Sequence, residues 1–314
     1  MPYVQVYQAG LAPEGRPAGV FLLLGPTGTG KTKTVEALAG VLHGSEKNVL
    51  KIDCGEFQME HEVAKLIGAP PGYLGHRETT AMLNQQKLSM VASEKSSLSL
   101  VLFDEVEKAA PSLTRLLLGI LDKALLRLGD NTSVNFERSM IFLTSNLGSR
   151  TMLDELHPNF GFDAGLDKQR PDIGRKLDSI GRGAARKTFS PEFMNRIDRV
   201  ITYRPLDEEA LSEILDQHIE EFRHHIAARL GPRGFDVEVP AETRQAILRK
   251  GVSVEFGARE LKRTLHRHLT EPLAALVADG GIAPGSCIRL MFDEEEDRLS
   301  IQTDTGALLS DSGY

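Results

Sequence analysis

Short apolar runs recur along the first two thirds of the chain, at residues 20–24, 48–52, 98–103, 140–144 and 199–203, each rich in branched side chains. Runs of this length without polar alternation predict strands buried on both faces. Between them, residues 31–42, 81–93 and 112–128 place apolar side chains three and four apart, the pattern of helices with one buried side. Strands that alternate with helices imply an α/β fold, a parallel five-stranded sheet between helices. Residues 163–183 are polar and contain glycine, and they read as a surface loop.

After residue 203 the pattern changes. Residues 207–230, 241–250 and 258–278 read as amphipathic helices, the last interrupted or ended near Pro272. Two short apolar runs, 287–291 and 299–302, flank the acids from Asp293 to Asp297 and predict a short β-hairpin with a solvated turn; an acidic interaction surface is the alternative. The change of pattern places a domain boundary at Arg204 and Pro205, giving a large domain over 1–204 and a small, mainly helical domain over 205–314.

Composition narrows the class. With 314 residues, 41% hydrophobic and 26% charged, the chain can build real cores, so disorder and coiled coil drop out. A formal charge of −7 offers no general field for a nucleic-acid backbone. The early apolar run at 20–24 is far below the roughly 18 residues that a membrane span needs, and the first residues lack a basic stretch followed by an apolar one. Cys54 and Cys287 stand far apart, in no disulfide or metal spacing, and no pair among the histidines, His224 with His225 or His266 with His268 included, has zinc-site spacing. The expectation is a cytoplasmic protein with no membrane and no nucleic-acid partner.

The strongest chemical signal is Gly25-Pro26-Thr27-Gly28-Thr29-Gly30-Lys31-Thr32, which follows the first predicted strand and opens a helix. In this setting the glycines let backbone amides turn toward phosphates, and the helix N-terminus adds partial positive charge. Lys31 is placed to reach the β- and γ-phosphates of ATP, and Thr32 to offer its hydroxyl to Mg2+. The strand at 98–103 ends in Asp104-Glu105, which adds a carboxylate to hold magnesium and a second to polarise the attacking water. Acidic pairs after apolar runs are common, and it is the phosphate loop ahead of this one that favours the catalytic reading. Asn146 ends the next strand, where its amide can reach a γ-phosphate or serve an Asx turn.

These stretches occur in one order with Ala69-Pro70-Pro71-Gly72-Tyr73-Leu74-Gly75, Asp104-Glu105-Val106-Glu107-Lys108, Thr144-Ser145-Asn146-Leu147-Gly148-Ser149, Pro191-Glu192-Phe193-Met194-Asn195-Arg196-Ile197-Asp198 and Gly257-Ala258-Arg259-Glu260-Leu261. In that order the chain resembles the Clp-type AAA+ unfoldases, specifically the second ATPase module of ClpA, ClpB and ClpC with its small lid domain, from about residue 9 to 302. The resemblance implies Asn146 as first sensor of the γ-phosphate, Arg196 as an arginine finger serving a neighbouring subunit, and Arg259 as a second sensor in the lid. It also implies a homohexameric ring in which Tyr73, with Leu74 beside it, grips a polypeptide in the axial channel; a tight turn with a buried Tyr is the plainer reading of the same loop.

The chain also departs from the family pattern. His76-Arg77-Glu78-Thr79-Thr80 replaces a Gly-rich acidic stretch, and residues 124–131 lack the usual charged, Gly-containing sequence. Phe160-Gly161-Phe162 falls where some relatives carry a tripeptide that docks on a ClpP peptidase, but the leading Phe breaks that pattern and favours a plain turn. The resemblance also implies segments ahead of residue 1, one of them covering adenine, so a fragment or a reduced single-ring relative is expected. The expected function is a Mg-ATP-dependent AAA+ ATPase that unfolds protein substrates by threading them through a Tyr-lined pore. Alternatives are a remodeller dedicated to one complex and a nucleotide-gated assembly module that moves nothing.

Overall fold

In the computed structural model, which describes residues 2–68, 81–156, 173–251, 257–293, 298–303 and 308–309, the apolar runs form one parallel sheet. Its strands are β1 (Gly19–Leu24), β2 (Leu50–Asp53), β3 (Ser99–Asp104), β6 (Ser139–Ser145) and β7 (Arg199–Thr202), in the order β2-β3-β6-β1-β7. Phe21 pairs with Phe142 and Leu22 with Leu143 across β1 and β6, and Ile52 pairs with Phe103 across β2 and β3. Alternate side chains of a strand point to opposite faces, so each central strand feeds two cores. Leu22, Leu24, Val101, Phe103, Ile141 and Leu143 join one, and Phe21, Leu23, Leu100, Leu102, Met140 and Phe142 the other.

Helices cover each face. Val4 of α1 (Pro2–Gln8) and Val35 and Ala39 of α2 (Lys31–His43) close the second core. The first is closed by Val63 and Leu66 of α3 (Val63–Ile67), Leu88 of α4 (Gln85–Met90), Leu113, Leu117, Ile120 and Leu121 of α5 (Pro111–Lys123), Ala185 of α7 (Ile173–Thr188) and Phe193 of α8 (Pro191–Met194). A further helix, α6 (Ser149–Leu156), follows β6.

Several expectations need correction. The strands β1, β3 and β6 are buried almost throughout, but β2 and β7 form the sheet's two edges and are partly exposed. The helix expected over 81–93 shrinks to Gln85–Met90, where the Asn84 side chain caps the first turn by accepting from the Lys87 amide at 2.8 Å. The helix expected over 112–128 stops at Lys123. Ala124 turns left-handed at φ 50°, and the chain enters a hairpin of β4 (Leu125–Arg127) and β5 (Ser133–Asn135). The loop expected over 163–183 is helix α7 from Ile173 onward, and its remainder lies outside the described residues.

The chain divides into two compact units, one of residues 1–26 and 30–204 and one of residues 27–29 and 205–314. The second begins with α9 (Glu208–Leu230), whose first turn is capped by Asp207 accepting from the Ala210 amide at 2.9 Å. It continues through β8 (Asp236–Glu238), α10 (Ala241–Gly251), α11 (Ala258–Leu265), a π turn (His266–Thr270) and α12 (Glu271–Ala278). Strands β9 (Cys287–Asp293), β10 (Arg298–Thr303) and β11 (Leu308–Leu309) complete a sheet of order β11-β10-β9-β8, with β9 and β10 antiparallel as the expected hairpin. The π turn lies where Pro272, in the first turn of α12, lacks the N–H that an unbroken α-helix would use, and the Glu271 amide reaches five residues back to the His266 carbonyl. Leu261, Leu265, Leu269 and Leu273 along this path join Leu215, Ile219, Ile288 and Leu290 in one core. Among the described residues no helix is long and apolar enough to cross a membrane.

Candidate functional site

The carboxyl ends of β1, β3 and β6 are adjacent in the sheet, and each delivers part of one polar cluster. At the end of β1, Gly25 takes φ 144°, and a Cβ there would sit 2.6 Å from the Tyr203 carbonyl oxygen, so only glycine fits. Gly28 and Gly30 are also left-handed, at φ 77° and 91°, and Gly30 begins α2 with no side-chain cap on the first-turn amides. An uncapped helix N-terminus behind a loop of this kind suits an anion.

Lys31, in the first turn of α2, is only 8% exposed. Its ammonium donates to the carbonyls of Gly25 and Pro26 at 2.7 and 2.8 Å and to Asn146 Oδ1 at 2.8 Å, which compensates its burial. Asn146, just past β6, uses the other end of its amide to donate from Nδ2 to Glu105 Oε1 at 3.2 Å. A cation on one side and a carboxylate on the other fix the amide's orientation. The lysine and the acid are therefore joined through a single side chain.

Thr32 donates from Oγ1 to Asp104 Oδ2 at 3.3 Å, which sets a hydroxyl beside a carboxylate at the end of β3. Both are hard oxygen donors, and Mg2+ takes one or two protein oxygens, its remaining positions going to phosphate and water. The pair fits that ion; no group of three or more His, Cys, Asp or Glu suited to a metal occurs among the described residues. Asp104 Oδ1 accepts from the Thr144 hydroxyl, whose oxygen accepts from the Glu105 amide at 3.1 Å. Glu105 itself is left-handed at φ 55°, a sharp turn that swings its carboxylate off the strand line. Its Oε2 meets Lys108 Nζ at 2.5 Å, and this hydrogen bond and charge raise the Lys108 ammonium above its ordinary value. Nearby, burial first, and then the charges of Asp53, Asp104, Glu107 and Glu105, push the Cys54 thiol up to about 12.

Lys31, Thr32, Asp104, Glu105 and Asn146 thus come together. Arg196 does not join them by hydrogen bond or ion pair among the described residues; its Nε meets Asp122 Oδ1 at 2.7 Å, and its side chain is partly exposed. Arg259 lies in the first turn of α11, in the second unit. Tyr73, Leu74, the stretch from His76 to Thr80 and the Phe160-Gly161-Phe162 tripeptide lie outside the described residues. Sequence reasoning assigned no role to Thr144, Glu107 or Lys108. The signal was present, since all three stand within the quoted strand-end stretches, but a hydroxyl or a charge near a strand end does not reveal its partner.

A family model described as AAA domain (Cdc48 subfamily) matches residues 16–200, and one described as the C-terminal, D2-small domain of ClpB protein matches residues 206–290. The chaperone protein ClpB of Meiothermus ruber is 36% identical over 282 residues, covering 89% of this chain and 30% of that protein. The ATP-dependent protease ATP-binding subunit-like protein AmiB of Pseudomonas aeruginosa is 35% identical over 304 residues, covering 94% of this chain and 79% of that protein. The Hsp104:casein complex of S. cerevisiae in its extended conformation superposes with a TM-score of 0.77 at 26% identity, covering 96% of this chain and 48% of that chain. The chain spans less than a third of the Meiothermus ClpB and most of AmiB.

Proposed function

The chain belongs to the AAA ATPase family, in the Clp-type branch whose ATPase domain is followed by a ClpB-like small domain, and from that membership we propose that it binds Mg-ATP, hydrolyses it, and applies the work to protein substrates. The observation that carries this reading is the hydrogen-bonded line from Lys31 through Asn146 to Glu105, beside the Thr32–Asp104 pair. Lys31 exchanges its carbonyl partners for the β- and γ-phosphates, and Asn146 turns toward the γ-phosphate. Freed from that amide, the Glu105 carboxylate orients the attacking water and takes its proton. Thr32 and Asp104 hold magnesium, which when bound neutralises charge on the phosphate oxygens. Arg196 completes a neighbouring subunit's site in a homohexameric ring, and Arg259 senses nucleotide from the lid. Tyr73 and Leu74 grip the polypeptide, a reading supported by the casein bound to the Hsp104 relative. A cytoplasmic setting accompanies this role.

AmiB, of which this chain covers 79%, is a protease-subunit-like protein by name, which favours one second reading: an ATPase that feeds a ClpP-type peptidase. ATP-dependent loss of casein only when such a peptidase is added would support it.

The primary test is a pair of variants. Lys31→Ala is expected to abolish binding of a fluorescent ATP analogue, whereas Glu105→Gln keeps binding and stops turnover. Near-normal turnover in Glu105→Gln would overturn the assignment, and a parent that binds ATP but never turns over would leave a nucleotide-gated assembly module. Tyr73→Ala, with normal ATPase and lost unfolding of a tagged reporter, separates threading from hydrolysis.

A further inference from the structure

Asn146 follows the last ladder pair of β6, in which Ser145 faces Leu24, so its backbone N–H has no strand partner. Glu107 supplies one. From the short helical turn of residues Val106–Lys108, its Oε1 accepts from the Asn146 amide at 2.9 Å. Its other oxygen, Oε2, is buried with no hydrogen-bond partner among the described residues. A carboxylate in a cluster that already holds Asp104 and Glu105 carries desolvation and like-charge repulsion that an apolar side chain would avoid. What an acid adds over other acceptors is a stronger, charge-assisted hold on a backbone amide.

That hold falls at a sensitive point. The Asn146 side chain spans from Lys31 Nζ at 2.8 Å to Glu105 Oε1 at 3.2 Å, so a small rotation of its backbone breaks one contact or the other. We propose that Glu107 is a positioning residue of the ATP site: it clamps the Asn146 backbone so that the side-chain amide stands between the phosphate-binding lysine and the water-orienting acid, in place to turn to the γ-phosphate and release that acid when nucleotide binds. Glu107 acts through Asn146, whose backbone amide it holds. The turn after β3 and the end of β6 are thereby tied into one unit, and Glu105 is carried by the same turn as its clamp. This proposal rests on the ATPase reading above.

The test uses the full chain with Glu107→Ala, Glu107→Gln, Asn146→Ala and the Glu107→Ala/Asn146→Ala double variant. A displacement of about 1 Å in a positioned group costs on the order of 100-fold in rate, so Glu107→Ala is expected to lose roughly 10- to 100-fold in kcat. Affinity for a fluorescent ATP analogue should stay near the parent's. Glu107→Gln keeps an acceptor oxygen and should restore most of the turnover. The double variant should be no slower than Asn146→Ala alone, because the clamp has nothing left to hold. Exchange of the Asn146 backbone amide should quicken in Glu107→Ala and stay slow in Glu107→Gln. Parental kcat in Glu107→Ala, or losses that multiply in the double variant, would overturn the proposal. A parent without turnover would refute the ATPase reading instead; the exchange measurement then decides the clamp alone, and unchanged protection in Glu107→Ala overturns it.

Discussion

Gly25→Ala is a sharp test of how the phosphate loop leaves the sheet. The new Cβ would sit 2.6 Å from the Tyr203 carbonyl oxygen and 2.9 Å from Tyr203 Cβ, whereas ordinary contact begins at 3.4 Å. One backbone must therefore give by about 0.8 Å. The neighbouring bond from the Tyr203 amide to the Leu24 carbonyl, 2.7 Å long, resists that movement. Holding a non-glycine residue at φ 144° costs about 1–3 kcal/mol, and loosening the bond about 0.5–1.5 kcal/mol more. The expected destabilisation is about 2–4 kcal/mol, which for a unit near 200 residues lowers Tm by roughly 5–15 °C. Scanning calorimetry of nucleotide-free protein reads the loss. Gly183→Ala is the control: its site in α7 has negative φ and open space around the added Cβ, so it should gain about 0.5–1 kcal/mol. A Gly25→Ala melt within about 2 °C of the parent would refute the steric argument, since 1 kcal/mol alone moves Tm by at least that much.

Other consequences are equally open to measurement. Cys54 is fully buried and its thiol is pushed up to about 12, so native alkylation near pH 8 should label Cys287 and leave Cys54 intact; comparable labelling of both by mass spectrometry would contradict this. Burial alone would raise the Asp178 carboxyl, but the hydrogen bonds from Thr202 and Arg182, with the Arg182 charge, outweigh it and hold the group below its usual value. Its stabilising share is then full above the unfolded value of 3.8 and lost as pH falls through the folded one, so the Tm deficit of Asp178→Asn should shrink toward zero on acidification; a deficit constant with pH would refute it. Asp207→Ala removes the cap that accepts from the Ala210 amide and should cost about 1 kcal/mol, read by calorimetry; no change would mean that the cap is idle.

The central strands were legible because β1, β3 and β6 are buried on both faces and so have no reason to alternate. The phosphate loop and the acids after β3 were legible because their chemistry requires particular residues at particular spacings. The β4–β5 hairpin was not. Leu121, Leu125 and Leu128 prolong the three- and four-residue spacing of α5, and the helix ends on Ala124, a non-glycine residue in the left-handed region that announces nothing. Helix α7 was misread for the opposite reason, since its glycines look like loop punctuation. A Cβ on Gly181 would lie 2.7 Å from Met152 Cε and 3.5 Å from Leu24 and Thr202, so glycine there serves close packing of the helix on the sheet. Within the site, the partners of Asn146 come from α2 and the turn after β3, and no spacing along the chain encodes those meetings.

The π turn before α12 also settles the phase of a leucine ladder. Leu261, Leu265, Leu269 and Leu273 are spaced by four, and in a uniform α-helix each such step overshoots a full turn by about 40°, which would carry the last leucine roughly a third of the way round the axis from the first. The wider turn at His266–Thr270 gives back that angle, and all four reach the same core. Pro272, usually a helix breaker, acts here as a gear tooth that keeps two helical segments in step. Were the same stretch wound as one uniform α-helix, helical content would be unchanged and Leu273 would still point about 120° away from Leu261, a defect that no count of helical content would detect.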